Sequence, residues 1–208
     1  MRAALEALDH LVLATPNLTA TAEWVFESTG VRASAGGRHV GRGTHNVLCS
    51  FGPTSYLEIV GPDPSQQEPV GGRPFGIDDL EEASIVSWAV AVGDMGAARD
   101  SALTAGYDPG EAQAMQRLRP DGVFLSWQLT LSPSPAVPFL LDWFDSPHPA
   151  PDAAGGLRLV SLRARHPDPG QLGAVLAALG VVIEIEHGRE SLIVDMAGPN
   201  GAISFGAS

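Results

Sequence analysis

His10 and Glu58 are the residues whose types and settings point most directly to chemistry. His10 lies in the apolar run "LDHLVLA" and Glu58 in "SYLEIV". An acid that faces a core must be paired or protonated. Glu58 therefore lines a cleft, faces solvent from an edge strand, or meets an arginine such as Arg42. A histidine in an apolar strand is a hydrogen-bonded core group, a cleft-lining residue or a metal ligand. Imidazole nitrogen and carboxylate oxygen together suit Zn, Ni, Fe or Mn, with positions left open for a substrate.

Other candidates depend on strand parity. If Pro53 and Thr54 form a two-residue turn, Glu58 faces Cys49 and shares a side with His45. His45 is then a second proton-transfer candidate beside Glu58. A shift of one residue sends it to the other side. His39 and His45 flank "VGRGT", which reads equally as a plain surface loop. Trp127 and Trp143 are core aromatics or the apolar wall of a ligand site. His148, in "SPHPA", reads as a plain loop residue, or, since it follows a strand, as one that closes over a cleft. Cys49 is the single cysteine, and its strand setting reads as a buried small hydrophobe rather than a nucleophile.

These side chains need a scaffold, and the sequence supplies one pattern three times. The strands "LDHLVLATPN", "IVSWAVAVGD" and "LVSLRARHPD" each end at a helix-capping residue: Asn17, Asp94 and Asp168. An apolar helical stripe follows each, and Gly30, Gly106 and Gly180 stop the helices. Hairpin-rich sequence comes next, with turns at Gly52-Pro53, at Pro120-Asp121-Gly122 and near Gly188. The expected fold is α+β, with βαβββ units over 7–61, 84–144 and 157–206. The expected division is a paired region, 1–148, and a third unit, 157–208. The Pro- and Gly-rich linkers between units read as surface connections.

A repeated βαβββ unit resembles the vicinal oxygen chelate superfamily, which includes glyoxalase I, extradiol dioxygenases and bleomycin-resistance proteins. "LDHLVLATPNL" looks like its first strand and "SYLEIVG" like the last strand of a module. "GGRHVGRGTHNVLCSFGPTSYLEIVGPDP" and "PFLLDWFDSPHPA" are similar to a bacterial glyoxalase-like domain family. The resemblance implies two modules whose sheets curve around a cleft. It also implies a divalent metal held by first and last strands, with His10 and Glu58 at ligand positions. Counting back seven residues from each helix cap places Ser87 and Ser161 where His10 stands. Neither serine is a normal ligand for these metals. The last strand of the second unit offers Asp142 near the place of Glu58, so His10, Glu58 and Asp142 are the best metal set available.

The 208 residues carry a net charge of −12, and every basic residue is an arginine. That balance argues against nucleic-acid or anionic-membrane partners. No run of about 18 apolar residues exists. The expected protein is cytoplasmic and works on a small molecule, with a homodimer as its expected state. It is either a divalent-metal lyase, isomerase or dioxygenase, with Ser87, Trp127, Trp143 and His148 around the substrate, or a metal-free binding protein.

Overall fold

The computed structural model describes residues 5–118, 122–132 and 134–206. Pro120 and Asp121 of the expected second hairpin turn lie outside them. The first unit runs β1 (Leu8–Ala14), α1 (Leu18–Thr29), β2 (Ser34–His39), β3 (Thr44–Gly52), β4 (Ser55–Pro62). The second runs β5 (Ser84–Ala91), α2 (Met95–Thr104), β6 (Gln113–Leu118), β7 (Phe124–Leu129), β8 (Phe139–Asp142). The third runs β9 (Arg158–His166), α3 (Pro169–Ala178), β10 (Glu184–His187), β11 (Ser191–Ala197), β12 (Ala202–Phe205). Each helix begins where its cap residue accepts a backbone hydrogen bond: Asn17 from Ala20, Asp94 from Ala97, Asp168 from Gln171.

The first two units form one eight-stranded sheet in the order β2-β3-β4-β1-β5-β8-β7-β6. The halves meet at the antiparallel pair β1–β5, where Leu11 faces Trp88, His10 faces Ala89 and Val12 faces Ser87. A pseudo-twofold axis through the Leu11–Trp88 pair therefore maps His10 onto Ser87. An extra residue, Asp9 in β1 and Val86 in β5, bulges from each strand just before these positions. The expected match of Ser87 to His10 holds, and Trp88 faces the opposite side.

The third unit shares the element order but not the pairing. Its separate sheet runs β10-β9-β11-β12, with β9 between its parallel partner β10 and antiparallel β11. It does not repeat the strand order of the other two units, which corrects the expectation of three superimposable modules. Ser161 lies on its polar face, hydrogen-bonded to Asp195 at 2.6 Å.

The large sheet has two buried faces. On the helical side Leu11, Leu57, Trp88, Val25 and Leu140 join one core with Leu162, Leu172, Val175, Leu176 and Val194 of the third unit. On the other side Val12, Ala14, Val60, Ala89, Leu125, Trp127, Phe139 and Leu141 line the concave interior. β2 and β6, the outermost strands, approach each other across that concavity.

Candidate functional site

The concave face holds a cleft of about 1460 Å³ whose lining includes His10, His39, Asn46, Tyr56, Glu58, Ser87, Arg117 and Trp143. The bulge at Asp9 explains its deepest feature. Normal alternation points neighbouring residues to opposite faces. The extra residue lets the Asp9 carboxylate turn back onto its neighbour, and Oδ1 lies 2.6 Å from His10 Nδ1. Asp9 Oδ2 accepts hydrogen bonds from Trp143 Nε1 at 2.7 Å and from His148 Nε2 at 3.1 Å. Burial favours the neutral acid, but the hydrogen bonds from His10 and His148, with electrostatic attraction to the two rings, outweigh it. Together they hold the Asp9 carboxyl down to about 2.

An ionised Asp9 fixes both imidazoles. The His148 hydrogen is on Nε2, because Nδ1 accepts from the Ala150 backbone N–H at 3.1 Å. The His10 hydrogen is on Nδ1, which leaves Nε2 turned toward Glu58 Oε2 at 3.6 Å. Tyr56 stacks on the His10 ring at 4.8 Å, and Phe139 meets it edge-on at 5.4 Å. Burial, reinforced by Asp9 and Glu58, pushes the Tyr56 phenol well above its usual range, so it stays a proton-bearing group.

Glu58 is held from the other side by Asn46, whose Nδ2 donates to Oε1 at 2.5 Å. Asn46 is oriented in turn: its Oδ1 accepts from Gly37 N at 2.8 Å and from Arg117 Nη1 at 3.2 Å. Its amide nitrogen also lies 3.2 Å from His39 Nε2, while His39 Nδ1 meets Thr44 Oγ1 at 3.0 Å. Burial pushes His39 toward its neutral form against the pull of Glu58, and Arg117 adds to that push.

Several sequence expectations change here. The two-residue turn exists, with Gly52 facing Ser55, but Phe51 bulges out of β3. Glu58 therefore faces Leu48 rather than Cys49, which sends His45 to the opposite side and brings Asn46 in. Asp142 is also not with His10 and Glu58. The axis maps Val12 onto Ala89; Val12 pairs with Glu58 and Ala89 with Phe139. Phe139 thus occupies the place of Glu58. Asp142, three residues on, has the other parity, accepting from Gln128 Nε2 and the Phe144 backbone N–H. Trp143 and His148 reach the site as partners of Asp9, and Trp127 and Ser87 line the cleft. Asp9 and Asn46 were missed, and His39 was noted only as flanking a Gly-rich run, because three one-residue bulges, at Asp9, Gly36 and Phe51, leave no periodic signal.

The four positions the resemblance assigns to a metal are thus His10, Glu58, Ser87 and Phe139. The second half offers a hydroxyl and a phenyl ring. Among the described residues, no group of three or more His, Cys, Asp or Glu side chains is arranged to hold a metal ion. The residues present do not fit the four-donor centre.

Comparison with known proteins agrees with the fold. The glyoxalase-like domain family matches residues 8–180. A hypothetical protein from Staphylococcus aureus superimposes with a TM-score of 0.61 at 15% identity, covering 95% of this chain and 84% of that one. A Streptomyces coelicolor methylmalonyl-CoA epimerase variant in complex with 2-nitronate-propionyl-CoA gives 0.42 at 16% identity, covering 68% and 96%. The methylmalonyl-CoA epimerase from Mycobacterium tuberculosis gives 0.43 at 15%, covering 68% and 89%. No curated protein matches the chain. With its paired modules and a family match over most of its length, the chain belongs to the glyoxalase-like domain family of the vicinal oxygen chelate superfamily.

Proposed function

We propose that the cleft is an acid–base site for a small carbonyl compound, and that the protein is an isomerase or lyase working with its own side chains. The observation that carries the reading is the Asp9–His10 pair, which turns an imidazole Nε2 into the cleft beside Glu58. His10 Nε2 takes a proton from the carbon next to the substrate carbonyl. The imidazolium formed then lies between two carboxylates, Asp9 and Glu58, which stabilise it. Negative charge moves to the substrate oxygen, and Tyr56 and Ser87, which line the same cleft, offer hydroxyl donors to it. Return of the proton to the neighbouring carbon of the enolate completes an isomerisation; loss of a β-substituent from the enolate instead gives a lyase. Trp143 and His148 act through Asp9 and position it.

A second reading, a metal-free binding protein, draws on the apolar wall made by Trp127, Phe139, Leu141 and Trp143. Proton NMR in D₂O separates the two. A panel of 2-oxo and 2-hydroxy acids, aldehydes and thioesters is incubated with protein, and C–H signals are followed. The enzyme reading expects hydrogen exchange with at least one compound, falling about 10²- to 10⁴-fold in His10→Ala. Binding without exchange beyond that of His10→Ala leaves the binding-protein reading.

A further inference from the structure

We propose that the cleft takes a small carboxylate with an apolar, ring-sized body, and that Arg42 is the residue that pairs its charge. This rests on reading the cleft as a small-molecule site and adds the ligand class. Arg42 lines the cleft on the turn between β2 and β3. Among the described residues, its guanidinium Nη2 reaches only neutral groups, Gln113 Oε1 at 3.4 Å and Met115 Sδ at 3.6 Å. Acids are not scarce, since the chain has 24 against 12 arginines. Among the described residues, Arg32, Arg38, Arg73, Arg99, Arg163 and Arg165 each lie within ion-pair distance of one; the exposed Arg158 and Arg189 do not, but they stand outside the cleft. An arginine kept from acids beside a cleft, in a chain this acidic, is placed for a charge that arrives from outside.

The turn that presents it is fixed. Gly41 and Gly43 on either side have φ of 74° and 64°, a left-handed backbone that suits glycine. The Arg42 N–H donates to His39 O at 3.0 Å, and Gly41 N donates to Gln66 Oε1 at 3.1 Å. Gly43 O accepts from Asp63 N at 2.9 Å and from Arg73 Nε at 3.1 Å. Arg73, the other guanidinium at this mouth, is occupied by Asp78 and Glu68. Its role is to clamp the turn, and Arg117 deeper in the cleft donates to Asn46, which leaves Arg42 for the ligand. Arg42 stands over Met115, which pairs across the sheet with Trp127 on the same wall. Carboxylate at Arg42 and ring against Trp127 and Trp143 define the ligand: an arginine fork at one end and an apolar wall at the other.

The test uses phenylacetate and its neutral isostere phenylacetamide as probes, titrated into the full chain and read by tryptophan fluorescence. Wild type is expected to bind phenylacetate about tenfold or more tighter than the amide. Arg42→Gln should bring the two to equal affinity, and Arg42→Lys should restore part of the preference. Arg158→Gln, the same charge change at an exposed site outside the cleft, should leave the preference intact. Absence of saturable phenylacetate binding, equal affinity for both probes in wild type, or a preference that survives Arg42→Gln overturns the proposal. A preference carried by Arg42 with no hydrogen exchange on any compound would sink the acid–base reading and leave the carboxylate site standing.

Discussion

Asp9 is the residue on which most of the site depends. It is fully buried and ionised, and it receives hydrogen bonds from His10, Trp143 and His148. Its folded pKa of about 2 lies below the ordinary 3.8. A depressed carboxylate stabilises the fold above its unfolded pKa, and that contribution disappears as pH falls through the folded value. The gap corresponds to about 2 kcal/mol. Urea unfolding of wild type should therefore show stability falling between about pH 4 and pH 2. Asp9→Asn should flatten that slope, and it should lower exchange activity by misorienting His10. An unchanged slope in Asp9→Asn would mean that other groups carry the acid sensitivity. At this scale the sequence was partly readable. His10 and Glu58 stand out as polar residues in apolar runs, whereas Asp9 looks like an ordinary strand-start acid until the bulge turns it around.

At the scale of elements, bulges decide which side chains meet. The Phe51 bulge exchanges Asn46 for His45, and the Gly36 bulge lets β2 pass close over Asn46. A Cβ at Gly36 would stand 2.0 Å from Asn46 Oδ1. Gly36→Ala must displace Asn46, release its grip on Glu58 and cost about 1–3 kcal/mol as an overpacked contact. Thermal melts and the exchange assay should fall together; a variant with native stability and activity would contradict the role given to Asn46. Helix caps and stops were legible because each rests on a local hydrogen bond or a left-handed residue. Strand registers were not, because β1 is buried on both faces and β4 nearly so, which erases the alternation that fixes register. The third unit shows the same limit. Its βαβββ order is visible in the chain, but which strand lies beside β9 depends on contacts far apart in sequence.

Over the whole molecule, two halves related by a pseudo-twofold axis build the cleft, and the groups the proposed chemistry needs stand mainly on one side of it. Both halves keep the bulge, at Asp9 and at Val86, yet one continues with His10 and the other with Ser87. Glu58 likewise faces the cleft in the first half, where Phe139 stands in the second. The third unit closes the helical side by sharing a continuous apolar core with the paired modules. Among the described residues, no helix is long and apolar enough to cross a membrane. The central claim is that this one-sided site moves protons without a resident metal. The direct measurement is the hydrogen-exchange rate of protein stripped with a strong chelator, before and after adding Zn, Ni, Fe, Mn or Co. The account predicts the same rate in every sample, with no stoichiometric metal retained after dialysis. Exchange that vanishes with chelator and returns with one equivalent of a single metal would contradict it.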